Sequence, residues 1–437
     1  MRKICIDGFN LALPKGSGIA TYGRNLNAAH RGLGYETQII YGPNGAVGRN
    51  SLLNEVALND APEAARTPNV LRRYRSTLTS STGRTARRVP TSGLVMPSPA
   101  SQRVQCDVVW AARDLFHTAN RCYATYKRFT PLRLLDRKAH PQIVHWTAPL
   151  PLVVPGLPNI YTMHDLVPLR LPFTTLDNKR RFYFLCKKLC RTADHIVTVS
   201  ESARRDLIEM FGVDERRVTN TYQSVSLPPA LLAKSDEDVA SEVEAGFNLT
   251  WRRYFLYFGA VEPKKNLGRI IEAYLGSGAT DPLVIVGADG WLTELETKML
   301  YDDLVVVQSV RDNAIRRADR IRRYDYLPLA SLVSLIRGAK ATIFPSLYEG
   351  FGLPVLESML LGTPVLTSTA GSLPEVAGDA AVTVDPFDGI AIKRGIQALD
   401  ADEDLRQELA RRGRAQAEKF NLPAYQDRLE AVYAAIA

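Results

Sequence analysis

The chain has 437 residues, 46% of them hydrophobic and 23% charged, with a formal net charge of +9. That length exceeds one core and predicts two domains of about 200 residues, or three smaller ones, in a protein of ordinary globular composition. No run of about 18 apolar residues is present to span a membrane, and five irregularly spaced cysteines predict buried thiols in a reducing cytosol rather than a disulfide framework or a zinc cluster.

The opening "MRKICIDGFNLALPKG" is interrupted by Asp7 and Gly8, which argues against a signal peptide. "KICIDG" reads as a buried strand, followed by a glycine-rich loop at Gly16, Ser17 and Gly18 and a helix over 17–32. "TQIIYG" is the next strand. Residues 65–105 are rich in Ser, Thr, Arg and Pro with weak periodicity, and 65–135 read as an insertion of long loops. Between Ala64 and Cys106 stand eight arginines (Arg66, Arg72, Arg73, Arg75, Arg84, Arg87, Arg88 and Arg103) and no acid. Such a block implies either an anionic neighbour or a solvated loop. Strands resume at "QIVHW", "NIYTMHD" and "HIVTVS". A helix over 201–211 and the strand "VTNTYQ" complete the first half.

A Pro-rich, then acidic stretch at 228–250 marks the boundary. Beyond it "YFLYFG", "PLVIVG", "ATIFPS", "PVLTST" and "AAVTVD" read as strands, with helices over 266–276 and 389–400 among the connections. Continuous apolar runs suit parallel strands covered on both faces, and the β/α alternation is that of doubly wound sheets. An apolar helical pattern over 421–436 closes the chain.

The chemistry concentrates in "ATIFPSLYEGFGLPVLESMLLGTPVLTST". A strand leads into a turn in which Gly350 and Gly352 permit positive φ and close ligand approach. Pro354 suits the first turn of a helix that ends at Gly362. A helix N-terminus at the carboxyl end of a strand is an anion site. Two carboxylates flank it, Glu349 in the loop and Glu357 about one turn into the helix. Carboxylates repel a simple anion, but they suit a ligand with central phosphates and hydroxylated rings at both ends, such as a nucleotide sugar. The plain alternative is a dipole-complementing Glu357 and a solvated Glu349. "EPKKN" places Lys264 and Lys265 at another strand's carboxyl end, as charges for a diphosphate or as solvated surface residues. "NIYTMHD" ends a strand with His164 and Asp165 at the cleft edge, where His164 is equally readable as structural. The first loop lacks G-x-G-x-x-G, which disfavours a nicotinamide cofactor.

These stretches together resemble the retaining glycosyltransferases of family 4. "EGFGLPVLE" is similar to that family's E-x7-E signature, "EPKKN" to its basic phosphate turn, "HDLVP" to its His-Asp strand end, and "AGSLPEVAGDAAVTVDP" to its tail. The likeness covers nearly the whole chain except 65–135. It implies an α/β, GT-B architecture of two facing Rossmann-like, doubly wound parallel-sheet domains around a cleft. An acceptor domain would span 1–228, a nucleotide-sugar domain 250–415, and the helix 421–437 would pack back on the first. It further implies that Glu349 contacts the donor sugar and Glu357 the ribose. Lys265 would bind the diphosphate with Lys264, His164 would lie near the reacting carbon, and Gly350, Phe351, Gly352 and Leu353 would frame the donor. Gly16, Ser17, Gly18 and Asp165 would serve the acceptor side. One departure is Gly259-Ala260, where many members carry an arginine.

The resemblance implies no cofactor and no metal. The "DED" strings at 236–238 and 402–404 fall in polar helical or linker stretches, not after a strand. The wording around "HDLVP" and "EPKKN" points to the bacterial polysaccharide mannosyltransferase-like branch. The expected reaction moves a hexose, with GDP-mannose favoured, to a glycan or lipid-linked acceptor. The expected place is the cytoplasm, at the inner face of the plasma membrane if the arginine block meets anionic lipid. Competing readings are an epimerase or hydrolase of the same fold, and a nucleic-acid-binding protein. The latter expects aromatic residues among the arginines, where only Tyr74 is present.

Overall fold

The computed structural model describes residues 2–11, 18–45, 47–59, 81–90, 92–96, 104–298, 306–311 and 314–436, with side chains left out for 295 and 306–319. The first sheet has ten strands: β1 (Lys3–Asp7), β2 (Glu36–Tyr41), β3 (Arg84–Val89), β4 (Val108–Ala111), β5 (Thr130–Leu134), β6 (Ile143–Trp146), β7 (Leu152–Val153), β8 (Asn159–Met163), β9 (His195–Thr198) and β10 (Val218–Asn220). Their order is β10-β9-β8-β6-β1-β2-β4-β3-β5-β7, and every pair from β10 to β4 is parallel. Successive residues of these strands enter opposite cores. Ile4, Ile6, Ile39, Ile160 and Val197 lie in one, and Cys5, Ile40, Val144, Tyr161 and Ile196 in the other. Burial on both faces is why the sequence shows unbroken apolar runs rather than alternation.

The second half contributes β11 (Phe255–Phe258), β12 (Leu283–Val286), an antiparallel hairpin of β13 (Val306–Arg311) and β14 (Ala314–Asp319), then β15 (Ile321–Tyr324), β16 (Ala341–Phe344), β17 (Val365–Ser368) and β18 (Val382–Val384). The six-stranded sheet runs β15-β12-β11-β16-β17-β18, parallel throughout. Strand order reverses between β1 and β6 in the first sheet and between β11 and β16 in the second. Doubly wound sheets bind ligands in the crevice outside the carboxyl ends at such points.

The region read as an insertion is in part regular. β3, β4, β5 and the helix Leu115–Tyr126 occupy it, and β3 pairs antiparallel to β4. β3 and β5 escaped the sequence reading because polar residues interrupt their apolar ones. Ala86 and Val89 are buried in β3 among arginines, and in β5 Thr130, Leu132 and Leu134 alternate with Pro131 and Arg133. Of the arginine block, Arg66, Arg72, Arg73, Arg75 and Arg103 lie outside the described residues. Arg84, Arg87 and Arg88 sit on β3, and Arg88 pairs with Asp136 at 3.5 Å. All five cysteines are free thiols, four of them buried.

The helix Leu422–Ile436 lies on the first half, against helix Gly18–Gly32, and Gln426 Nε2 donates to the Ala29 carbonyl at 3.1 Å. Its Tyr433 hydroxyl sits 2.7 Å from both His30 Nε2 and His145 Nδ1. His145 Nε2 continues to Thr162 Oγ1 at 2.8 Å, which meets the Tyr22 hydroxyl at 2.8 Å. Burial lowers the His30 pKa to about 3 and that of His145 well below the ordinary value, so this chain of bonds is neutral at physiological pH.

Candidate active site

Because β11 and β16 are neighbours, the turns that follow them lie side by side. After β11 the chain makes one tight turn at Pro263–Lys265, then Asn266 adopts φ +65° and helix Leu267–Ser277 begins. Asn266 Nδ2 donates to the carbonyls of Pro345 (3.0 Å) and Pro386 (2.8 Å), and the Leu347 N–H donates to the Lys264 carbonyl at 2.8 Å. The two turns are thereby stitched into one rigid floor.

On that floor Lys265 Nζ donates to Glu349 at 2.5 Å, with both side chains largely buried. The ammonium also lies 5.0 Å from the Phe344 ring centroid. Burial alone would raise the Glu349 pKa, but Lys265 and then Lys264 outweigh it and hold the carboxyl below its ordinary value. Lys264 is 4.0 Å from Glu262. Burial works against its charge, yet Glu349, Asp165 and Glu262 together raise its pKa. Glu262, which the sequence reading passed over, is itself shifted upward by burial. Both lysines therefore already face carboxylates when no ligand is bound.

Helix Leu353–Leu360 starts beside this pair. Gly352 takes φ +100° at its N-cap, and no side chain caps it, which leaves the positive end of the helix open to a ligand. Pro354 occupies the first turn and Gly362 leaves the helix at φ +76°. Phe351 is buried, in tilted contact with Tyr222 and edge-on to Phe420, and so supports the loop from below. Glu357 is half-buried and its carboxyl has no ion pair or hydrogen bond among the described residues; burial pushes its pKa up to about 7.

The first half contributes its own turn. Asp7, buried at the end of β1, accepts the Thr147 N–H at 2.5 Å and the Phe9 N–H at 3.1 Å. The Thr147 carbonyl accepts from His164 Nε2 at 2.8 Å. That bond places the ring proton on Nε2 and leaves Nδ1 as an acceptor. Burial lowers the His164 pKa although Thr147 and Asp165 oppose it, so the ring is neutral at pH 7. Tyr22 packs edge-on against it, with centroids 4.8 Å apart. Asp165 turns away to accept the Val167 N–H at 3.0 Å.

The halves meet here. A Cβ on Gly350 would stand 2.4 Å from the His164 carbonyl oxygen and 3.0 Å from Asp165 Cβ, so only glycine lets the two loops pass. Gly18 also faces the second half, although a Cβ there would stand at an ordinary contact distance of 3.8 Å from Leu353 Cδ1. Gly16 and Ser17 lie outside the described residues. The structure thus brings Glu349, Lys264, Lys265, Gly350, Gly352, Leu353, His164 and Asp165 to one seam, with Glu357 on the adjoining helix. Asp7 was legible as an acid inside an apolar strand. Thr147 and Tyr22 carried no comparable signal.

Two family models match the chain, Glycosyltransferase Family 4 over residues 81–226 and Glycosyl transferases group 1 over 247–416. The chain belongs to the family 4 glycosyltransferases. This glycosyltransferase is 32% identical over 269 residues to O-antigen chain mannosyltransferase B of Escherichia coli, a match covering 60% of this chain and 66% of that one. It is 27% identical over 280 residues to O-antigen chain mannosyltransferase RfbU of Salmonella typhimurium, covering 63% and 69%. The match to the serotype-specific mannosyltransferase WbdA of Escherichia coli, 29% identical, spans 32% of that relative's length. Among solved structures it shares the GT-B fold with Anabaena HepE in complex with UDP and glucose, at a TM-score of 0.66 and 14% identity over all of both chains. WaaG, a glycosyltransferase involved in lipopolysaccharide biosynthesis, superposes with a TM-score of 0.58 and 15% identity over 99% of each chain.

Proposed function

We propose that the protein is a retaining hexosyltransferase that moves mannose from GDP-mannose to a glycan or lipid-linked saccharide in cell-surface polysaccharide synthesis. The observation that carries this reading is the Lys265–Glu349 pair, set where the turns after β11 and β16 join and beside an uncapped helix N-terminus. The mannosyltransferase names of the relatives favour the sugar. A bound diphosphate replaces Glu349 as the partner of Lys265, and Glu349 turns its oxygens to the sugar hydroxyls. When the donor C–O bond breaks, the electron pair leaves with the phosphate. Lys264, Lys265 and the helix N–H groups meet that charge. The departing phosphate oxygen takes the acceptor proton, and attack on the same face retains configuration. Neutral His164 offers Nδ1 to a hydroxyl near the reacting carbon. Glu357 accepts from the ribose. No metal enters this scheme. The "DED" strings support that, because Asp402 caps its own helix at Leu405 N (2.8 Å) and Asp236 pairs with Arg337 at 2.7 Å.

A thermal-shift panel of nucleotide sugars tests the assignment, run with and without a chelator. The true donor at 100 times its dissociation constant is expected to stabilise by about 2.7 kcal/mol. The chelator is expected to change nothing. A panel without a shift, or a shift abolished by chelation, would count against the donor or the metal-free scheme respectively.

We further place the reaction at the cytoplasmic membrane surface. Among the described residues no helix is long and apolar enough to cross a membrane. Support comes instead from helix Lys179–Thr192. It buries Leu185, Cys186, Leu189 and Cys190 and carries Lys179, Arg180, Arg181, Lys187, Lys188 and Arg191 with no acid. Phe184 on its outer face is 43% exposed, and Phe173 and Leu176 just before it are 65% and 71% exposed. Cations around exposed aromatic and aliphatic side chains suit an anionic lipid surface, at roughly 1 kcal/mol per basic residue. The wild-type chain is expected to co-sediment with anionic vesicles at low salt and to detach at high salt. Replacing Phe173, Leu176 and Phe184 by Ser should remove the binding. Retention after those changes, with loss on neutralising the arginines of 64–106, would move the contact to that block.

A further inference from the structure

Two side chains from different elements converge on Asp206, a carboxylate 3% exposed on helix Glu201–Phe211. The Tyr348 hydroxyl donates to one of its oxygens. The Arg170 guanidinium donates to the other, with Nε at 2.9 Å. Ser202 Oγ lies 3.2 Å from the same Tyr348 hydroxyl. Arg170 ends the short helix that follows His164 and Asp165, and Tyr348 directly precedes Glu349. One carboxylate therefore grips the chain beside His164 and the chain beside Glu349. A second tie crosses between the halves on the same helix. The N–H groups of Glu201 and Ser202 both donate to Glu375, at 2.9 Å each. Glu375 follows Ser372, whose hydroxyl donates to the carbonyls of Glu349 at 3.0 Å and Phe351 at 2.8 Å.

We propose that Asp206 is a positioning residue: through Tyr348 and Arg170 it sets the register between the loop carrying Glu349 and the loop carrying His164, with Glu375 as the second point of a clasp across the cleft. This rests on the reading that Glu349 and His164 serve one reaction centre. Apolar contact could hold the halves together, but it would not fix how far one loop slides along the other. Directional bonds to a buried carboxylate do fix it, and that is the best-attested use of a buried charge. Tyr348 shares the turn after β16 with Glu349, but none of the four clasp side chains is assigned to the phosphates, so register and nucleotide affinity are separable.

The test is Tyr348→Phe, which removes one hydroxyl and keeps the ring, with Asp206→Asn and the double variant. A bond to a charged group lost from the clasp is expected to lower kcat by about tenfold or more, with calorimetric affinity for a nucleoside diphosphate unchanged. The double variant should be no slower than Asp206→Asn alone. Amide hydrogen exchange at Glu201 and Ser202 should accelerate by about tenfold or more in Tyr348→Phe, a readout that needs no turnover. An unchanged kcat, effects that multiply in the double variant, or unchanged exchange overturns the proposal. If Asp206→Asn fails to fold, Arg170→Lys, which disturbs the other tie to this carboxylate, is read beside Tyr348→Phe by the same kcat, affinity and exchange measurements, with the same changes expected. Faster exchange in a chain whose wild type turns over no nucleotide sugar would sink the transferase reading and leave the clasp standing.

Discussion

Lys265→Ala is expected to lower turnover by about 10²–10³, the effect of losing one preorganised charge donor at a leaving group. It is also expected to destabilise the fold, because Glu349 is then left buried without its nearest partner. Breaking a buried ion pair in this way costs about 3–5 kcal/mol. The two effects separate in the double variant Lys265→Ala with Glu349→Gln. Removing the orphaned charge should restore most of the stability, while turnover stays low because the departing diphosphate has lost one of its charge partners. Glu349→Ala alone should leave nucleotide binding nearly intact and depress turnover, since its partner is the transferred sugar. Denaturant midpoints and initial rates with the nucleotide-sugar donor are the measurements. If stability and turnover return together in the double variant, the pair is structural and the site reading is lost.

Glu357→Ala should weaken nucleotide and nucleotide sugar alike by roughly 10- to 150-fold, the equivalent of one hydrogen bond to a charged group. The same residue gives a pH signature. Burial raises the folded-state pKa to about 7, so the free site holds a largely neutral carboxyl below that pH. Ribose hydroxyls donate to the ionised form and therefore select it. Affinity for the intact donor should be full at pH 8 and about tenfold weaker at pH 6, since one unit below the pKa only about a tenth of the sites are ionised. Glu357→Gln should bind weakly with no such slope. The linkage runs in the opposite direction for stability. A folded pKa raised above the unfolded value favours the fold at low pH, and that contribution is lost as pH rises through 7. Glu357→Gln should accordingly melt higher than wild type at pH 8 and match it only below the unfolded carboxyl's pKa, at about pH 4. A flat affinity profile in the wild type would remove Glu357 from the binding site.

The two-fold strand–turn–helix logic was legible because it is local. Strands buried on both faces wrote continuous apolar runs, and Gly352, Pro354 and Gly362 marked the limits of one helix. Spacing by itself meant little. Glu55 and Glu201 also stand eight residues before another glutamate, yet Glu55 accepts the Ser92 N–H at 3.0 Å and Glu201 lies 3.7 Å from Arg204. The helix bearing Glu201 and Glu209 is no plain surface helix either, since it carries Asp206 and is tied to Glu375 at its N-terminus. What stayed hidden was long-range. Lys265 and Glu349 are 84 positions apart, and Tyr348 and Asp206 are 142 apart. "EPKKN" contains Glu262 but does not show that its lysines also meet Glu349 and Asp165, because those two acids arrive from separate loops far along the chain.

Tyr433 has a consequence for how the molecule is made. Multidomain chains generally fold in order of synthesis, the N-terminal part first. Here the hydroxyl that joins His30 to His145 is supplied 403 and 288 positions downstream of them. While the second half is still being synthesised, the Tyr433 hydroxyl that joins these two imidazoles has yet to be made. The first half gains these bonds only after every strand of the second half has been translated. A nascent chain stalled before its last helix is therefore expected to lack these contacts, and the first half to complete its packing only when that helix is made.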